Sequence, residues 1–155
     1  MAVKEILQVG NKTLQRVCKR VDCLDKDTKN LIQDLKDTLY DGDGIGLAAP
    51  QIGVLKKVFL IDLRDGSEPV ILINPKITKK IGREKSIEGC LSYPGYEGIV
   101  LRPKKVVIEG KNEDGQEVTY EASGLLKNAF CHESDHLQGI VYIDKASKIY
   151  KVEEE

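Results

Sequence analysis

The sequence predicts an α+β fold in which short, mostly antiparallel sheets pack around one central helix, and three observations predict it. Runs of β-forming residues are separated by glycine, asparagine and aspartate turns, a pattern that favours hairpins over parallel crossovers. One amphipathic helix stands near the N-terminus. A second stands late and carries His132-Glu133-Ser134-Asp135-His136. At 155 residues a single domain over 1–155 is sufficient. Such a chain buries roughly 68–70% of its unfolded surface around one core.

Taken in order, residues 1–24 mix apolar and basic positions without a sustained period, apart from a short helical stretch at 12–17. Asp25 is a helix cap, and Leu31, Ile32, Leu35 and Leu39 recur at helical spacing until Gly42 stops the run. Asp43 to Gly53 form a loop rich in glycine and small residues, of the kind that lets another backbone approach closely. Its Gly44-x-Gly46-x-x-Ala49 spacing imitates a dinucleotide fingerprint. It follows a helix instead of a strand, however, and Pro50 would end the helix that fingerprint needs.

Residues 58–63 and 70–73 read as buried strands, broken by Arg64-Asp65-Gly66-Ser67 and by Asn74-Pro75. The lysine-rich stretch 76–85 reads as solvated. Strands are expected at 98–101 and 106–109, and Asn112-Glu113-Asp114-Gly115 joins the latter to 118–122 as a hairpin. The second helix starts at Ser123 or Gly124 and ends at Gly139. Residues 140–143 are expected to form a closing strand, and the tail from 151 to 155 to fray.

Twenty-four basic residues against 25 acidic ones leave a net charge of −1 with no long basic run, which argues against nucleic acid as a partner. The first residues break their apolar character with charge at once, and no stretch of 18 apolar residues occurs, so neither a signal peptide nor a membrane span is expected. A cytoplasmic, bacterial setting is the expectation. Cys18, Cys23, Cys90 and Cys131 form no Cys-x-x-Cys pair, so a four-cysteine zinc knuckle is excluded.

The chemistry centres on the late helix. Residues at i and i+4 lie about 5–6 Å apart on one helix face, so His132 and His136 can reach one metal ion. Glu133 falls on the stripe of Leu126, Ala129, Phe130 and Leu137. A carboxylate desolvated there has a raised pKa, which suits a general base. Leu125 lies on the histidine side and is placed to line a pocket for an apolar substrate side chain.

Catalytic sites of this type keep three protein ligands and one open position. A third histidine after Gly139 would complete a metzincin pattern, but position 142 is Tyr142 and no other histidine exists. A downstream glutamate could come only from the acidic tail, which lacks an apolar helical face. Cys131 points away from the ring pair, and Cys18 and Cys23 sit among charged residues as plain thiols. Cys90 remains. Asp135 lies about 60° round the helix from His132, which favours a supporting role over ligation.

At this point the chain resembles the peptide deformylases, which remove formyl from N-formylmethionine on new bacterial and organellar polypeptides. Gly44-Ile45-Gly46-Leu47-Ala48-Ala49-Pro50-Gln51 is similar to the family's first motif, Glu88-Gly89-Cys90-Leu91-Ser92 to its second, and His132-Glu133-Ser134-Asp135-His136 to its third. The resemblance spans nearly the whole chain. It implies Cys90, His132 and His136 as ligands to one divalent ion, Fe2+ natively, with Zn2+, Ni2+ or Co2+ as substitutes. It further implies Glu133 as base and then acid, the Gln51 amide and Leu91 backbone N–H as oxyanion donors, and Gly46 and Gly89 as holders of the substrate backbone. N-formylmethionyl nascent peptides are the implied partners, and a monomer working near the ribosomal exit tunnel fits the same resemblance. Cys131 stands where the family commonly has glutamine, and Glu97 where some members have arginine.

The expected reaction is metal-assisted hydrolysis of a formamide. His-Glu-x-x-His by itself would equally serve a peptidase that cleaves internal amides, and a fully coordinated ion would serve a structural or partner-binding module without turnover.

Overall fold

A computed structural model describes residues 2–152 of the chain. Helix α1 (Lys26–Tyr40) starts at its expected cap, where the Asp25 carboxylate accepts from the Thr28 N–H at 2.9 Å. That bond satisfies one of the donors a helix N-terminus leaves open. Leu31, Ile32, Leu35 and Leu39 all face inward and are buried.

They cover one face of a five-stranded antiparallel sheet ordered β1-β2-β3-β6-β7, made of Gly46–Ala48, Val58–Ile61, Val70–Ile81, Lys105–Lys111 and Glu117–Ser123. β2 is buried on both faces because successive side chains point opposite ways. Val58 and Leu60 pack with the leucines of α1, whereas Phe59 and Ile61 pack with Ala129, Phe130 and Leu137 of helix α2 (Gly124–Leu137). The core therefore lies in two layers, one on each side of the sheet.

The remaining strands, β4 (Glu84–Cys90), β5 (Tyr93–Arg102) and β8 (Lys148–Lys151), form a second antiparallel sheet ordered β4-β5-β8. Antiparallel sheets with few helices are consistent with the α+β class. Ion pairs from β4 and β5 reach the face of α2 turned away from β2.

Several boundaries differ from the sequence expectation. Asn74-Pro75 does not break β3; the strand runs on into the lysine-rich stretch, with the register shifting between Ile73 and Lys76. Asn74 takes a positive φ of 53°, and its side chain bonds both the N–H and the carbonyl of Val21, so the proline sits at a bulge, where a missing N–H is tolerated. Residues 140–143 do not form the closing strand. Asp144 accepts from the Val141 N–H, and a short helix α3 follows (Tyr142–Lys145). β8 closes the second sheet instead. Lys151 belongs to β8, and 153–155 lie outside the described residues.

The short helical stretch near residue 12 is a single 3-10 turn, Lys12–Gln15. The glycine-rich loop contains β1 and a second such turn, Ala49–Ile52. Gly139 ends α2 with φ 76°, and a Cβ there would lie 2.6 Å from the Gln15 carbonyl oxygen, so conformation and space both require glycine. No helix among the described residues is long and apolar enough to cross a membrane.

Candidate active site

α2 carries three of the site's side chains inward on one turn and a third of a helix. His132, Glu133 and His136 are all buried. The fourth, Cys90, comes from the end of β4, where the hairpin to β5 turns and pairs Cys90 with Tyr93. Ligand atoms of Cys90, His132 and His136 lie within 4.8 Å of one another, and Cys90 Sγ is 3.4 Å from His136 Nε2. Tetrahedral coordination with Zn–N near 2.1 Å and Zn–S near 2.3 Å puts donor atoms roughly 3.5 Å apart, so this set fits a single small dication.

The surroundings of the rings favour the same occupant. His132 Nδ1 lies 2.9 Å from Glu88 Oε1, which directs its Nε2 at the ligand cluster. Burial disfavours a charged His132, but hydrogen bonds to Cys90 and Glu88 and the charge of Glu133 outweigh it and push the ring well above the ordinary histidine range. Ligation would require His132 to be neutral, so a dication bound here would compete with that proton. His136 is pushed well below its ordinary value, by burial first and the charge of His132 second, so its lone pair stays available.

Glu88 is itself anchored. Arg102 grips it in two bonds, Nε to Oε2 at 2.7 Å and Nη2 to Oε1 at 2.8 Å. Burial opposes ionisation of Glu88, yet the bonds from Arg102 and His132 prevail and hold its carboxyl at about 2. Arg102 Nη1 continues to Asp135 Oδ2 at 2.6 Å, and Asp135 Oδ1 accepts from Lys145 Nζ at 3.0 Å. A line of alternating charge thus runs from Lys145 through Asp135, Arg102 and Glu88 to His132. Asp135 acts two residues removed from the ring, not on it directly. The sequence reading gave no role to Glu88 or Arg102. Strand alternation puts Glu88 on the same side of β4 as Cys90 and could have flagged it, whereas Arg102 depends on the β4–β5 register and left no local signal.

Glu133 is pushed up to about 7, chiefly by burial, with the charge of His132 opposing and those of Glu88 and Asp135 reinforcing. That value sits where a proton acceptor at neutral pH works best. Its Oε1 is buried with no protein partner, and a Cβ built at Gly46 would lie 2.5 Å from its Oε2. β1 can approach the carboxylate only because position 46 has no side chain.

Gln51 is buried in the 3-10 turn after β1. Its Oε1 accepts from the Ala48 N–H at 2.9 Å, while Nε2 donates to Ser92 Oγ at 3.0 Å and points at Cys90 Sγ at 3.5 Å. The Ser92 N–H lies 3.4 Å from the same sulfur. Ser92 was also missed by the sequence reading, although an N–H two residues after a sulfur ligand is a common partner for it.

A cavity of about 560 Å³ opens over these groups, lined by Gly46, Gly89, Leu91, Leu125, His132 and Glu133 among others. Leu125 is exposed on its wall; Gln51, buried beside Cys90, is not part of the lining. Gly89 is exposed on β4, and a side chain there would meet only ordinary contacts, the nearest 3.4 Å away at the Tyr96 carbonyl oxygen. The protein's own packing therefore does not demand glycine at 89 as it does at 46.

A donor set of this kind beside a desolvated carboxylate defines a metal-dependent hydrolase. The model of the polypeptide deformylase family matches residues 3–152. Peptide deformylase 2 of Clostridium perfringens is 48% identical over 156 residues, covering 99% of each chain, and the peptide deformylase of Acetivibrio thermocellus is 46% identical over 154 residues, covering 99% of this chain and 89% of its own. A crystal structure of a peptide deformylase from Legionella pneumophila superposes with a TM-score of 0.90 at 37% identity, covering 94% of this chain and 87% of that one. The chain belongs to the polypeptide deformylase family: it is an enzyme that removes the N-formyl group from nascent polypeptides.

Proposed function

We propose that residues 1–155 form one catalytic domain, with both sheets arranged around the metal-binding helix α2. In it Cys90, His132 and His136 hold a single Fe2+ ion in the cytoplasm, which Zn2+, Ni2+ or Co2+ can replace. The observation that carries this reading is the convergence of one sulfur and two ring nitrogens within 4.8 Å beside the buried Glu133 carboxylate. When bound, the ion acidifies water and polarises the formyl oxygen. Glu133 accepts the water proton as the oxygen forms its bond to the formyl carbon, and returns it to the amine nitrogen as the C–N bond breaks and formate departs. The Gln51 amide and the Leu91 N–H donate to the formyl oxygen as negative charge builds on it.

The substrate backbone runs between two sheet edges that end at the cavity. β1 is the edge of one sheet and β4 of the other, and Gly46 and Gly89 both line the cavity, so an extended chain would run beside them. Leu125 lines the pocket for the methionine side chain. The partner is an N-formylmethionyl nascent peptide, met by a monomer near the ribosomal exit tunnel. The open position that three ligands leave favours turnover over a structural metal module.

The test is formate release. Apo-protein loaded anaerobically with Fe2+ should release formate from formyl-Met peptides, act poorly on formyl-Asp peptides, and leave acetyl-Met peptides intact. Equal kcat/KM for formyl-Met and formyl-Asp would remove the apolar pocket, and cleavage of acetylated or internal amides would favour a general peptidase.

A further inference from the structure

Among the described residues, the wall of the active-site cavity carries four carboxylates, Asp43, Glu88, Glu97 and Glu133, and no lysine or arginine. Two have tasks already: Glu88 is gripped by Arg102, and Glu133 lies against Gly46 at the floor. Glu97 has no such tie. It projects from β5, half-buried, and accepts a long hydrogen bond from the Tyr150 hydroxyl at 3.4 Å. Among the described residues no basic side chain pairs with it. Its Cγ would lie 3.8 Å from a Cβ at Gly89, so it flanks the strand edge along which the substrate backbone is proposed to run. Asp43 adds charge of the same sign at the exposed mouth.

We propose that Glu97 is a specificity-determining residue that favours lysine or arginine over aspartate or glutamate within the two residues following formylmethionine. This rests on the substrate path along Gly89 given above. An acidic substrate side chain entering there meets like charge in a partly desolvated groove, whereas a basic one supplies the partner that Glu97 lacks. The stacked rings of Tyr93 and Tyr96, 4.6 Å between centroids on the same wall, offer a face to a cation and favour arginine over lysine. Partly exposed pairs are worth little each, but attraction for one sign and repulsion for the other add, giving about a three- to tenfold ratio at low salt.

The experiment measures kcat/KM for formyl-Met-Xaa-Ala and formyl-Met-Ala-Xaa with Xaa as Arg, Lys, Ala or Glu, at low salt and at about 1 M, where the Debye length falls to about 3 Å. Basic peptides should lead acidic ones in at least one series, and salt should narrow the gap. Glu97→Gln should bring the ratio toward one, Glu97→Lys should invert it, and Glu97→Asp should retain its sign. Equal rates for all charges in the unsubstituted enzyme, or a ratio unchanged in Glu97→Gln, would overturn the proposal without calling on any variant that misfolds. Gly89→Val measured on formyl-Met-Ala separates the two layers. A raised KM there with no charge preference keeps the path and removes the role of Glu97, while an unchanged KM removes the path and the proposal with it.

Discussion

Gln51 and Glu88 occupy opposite sides of the ligand cluster, and each should fail in its own way. Gln51 bonds Ser92 and faces Cys90 Sγ, so its loss touches the side proposed to receive the formyl oxygen. Gln51→Ala should lower kcat by about 10² to 10³, the usual effect of deleting one oxyanion donor, with metal content kept. A normal kcat with a large fall in melting temperature would make the residue a structural closure of its turn instead. Glu88 orients His132, and its replacement by alanine should weaken metal affinity about 10- to 100-fold. Titration of the apo-protein with Zn2+ checks this, and unchanged affinity would show that the ring needs no anchor. At this scale the two histidines and Glu133 were readable because their spacing is local, whereas Cys90, 42 residues earlier, was reached only by elimination and by the family resemblance. Ser92 left only a weak local trace, and Arg102 none, since its partners are chosen by the turn and register of β4 and β5.

At the scale of elements, α2 is held to the five-stranded sheet largely by Phe130. That ring is fully buried, 6.2 Å from the Phe59 ring and 5.7 Å from that of Tyr120. Phe130→Ala should cost about 3–5 kcal/mol, measured by denaturant unfolding of the metal-loaded protein. A loss under about 1 kcal/mol would mean that the sheet and helix collapse onto the cavity or are held by other contacts. Both major helices could be read from the sequence because period 3.6 is sustained over three or more turns. Short elements were less readable. β3 crosses Asn74-Pro75 because the bulge and the Val21 contacts absorb a residue pair that usually ends a strand. α3 looked like a strand because four apolar and aromatic residues carry no period of their own, and the Asp144 bond that turns them is visible only once folded.

Across the whole molecule, the ion is expected to link the two sheets, since Cys90 ends β4 while both histidines belong to the helix packed on β2. Removing it should lower the melting temperature, by an amount that grows with the logarithm of metal affinity. A Cys90 thiolate bound to Fe2+ would make that form sensitive to air: oxygen can oxidise the ion and carry the sulfur toward sulfenic and sulfinic acid. Ni2+ and Zn2+ forms should keep their activity in air while the Fe2+ form loses it. Equal air stability, with Cys90 freely alkylated in the loaded protein, would remove Cys90 from the ligand set.

The central claim is that one group of residues holds the ion and a different residue moves the proton. Glu133→Gln separates the two, because the carboxylate lies beside the ligands without belonging to them. Metal analysis and formate release on the same anaerobic preparation should show about one ion per chain with kcat reduced by about 10² to 10⁴. A variant that had lost its ion, or one that released formate at nearly the normal rate, would contradict the assignment.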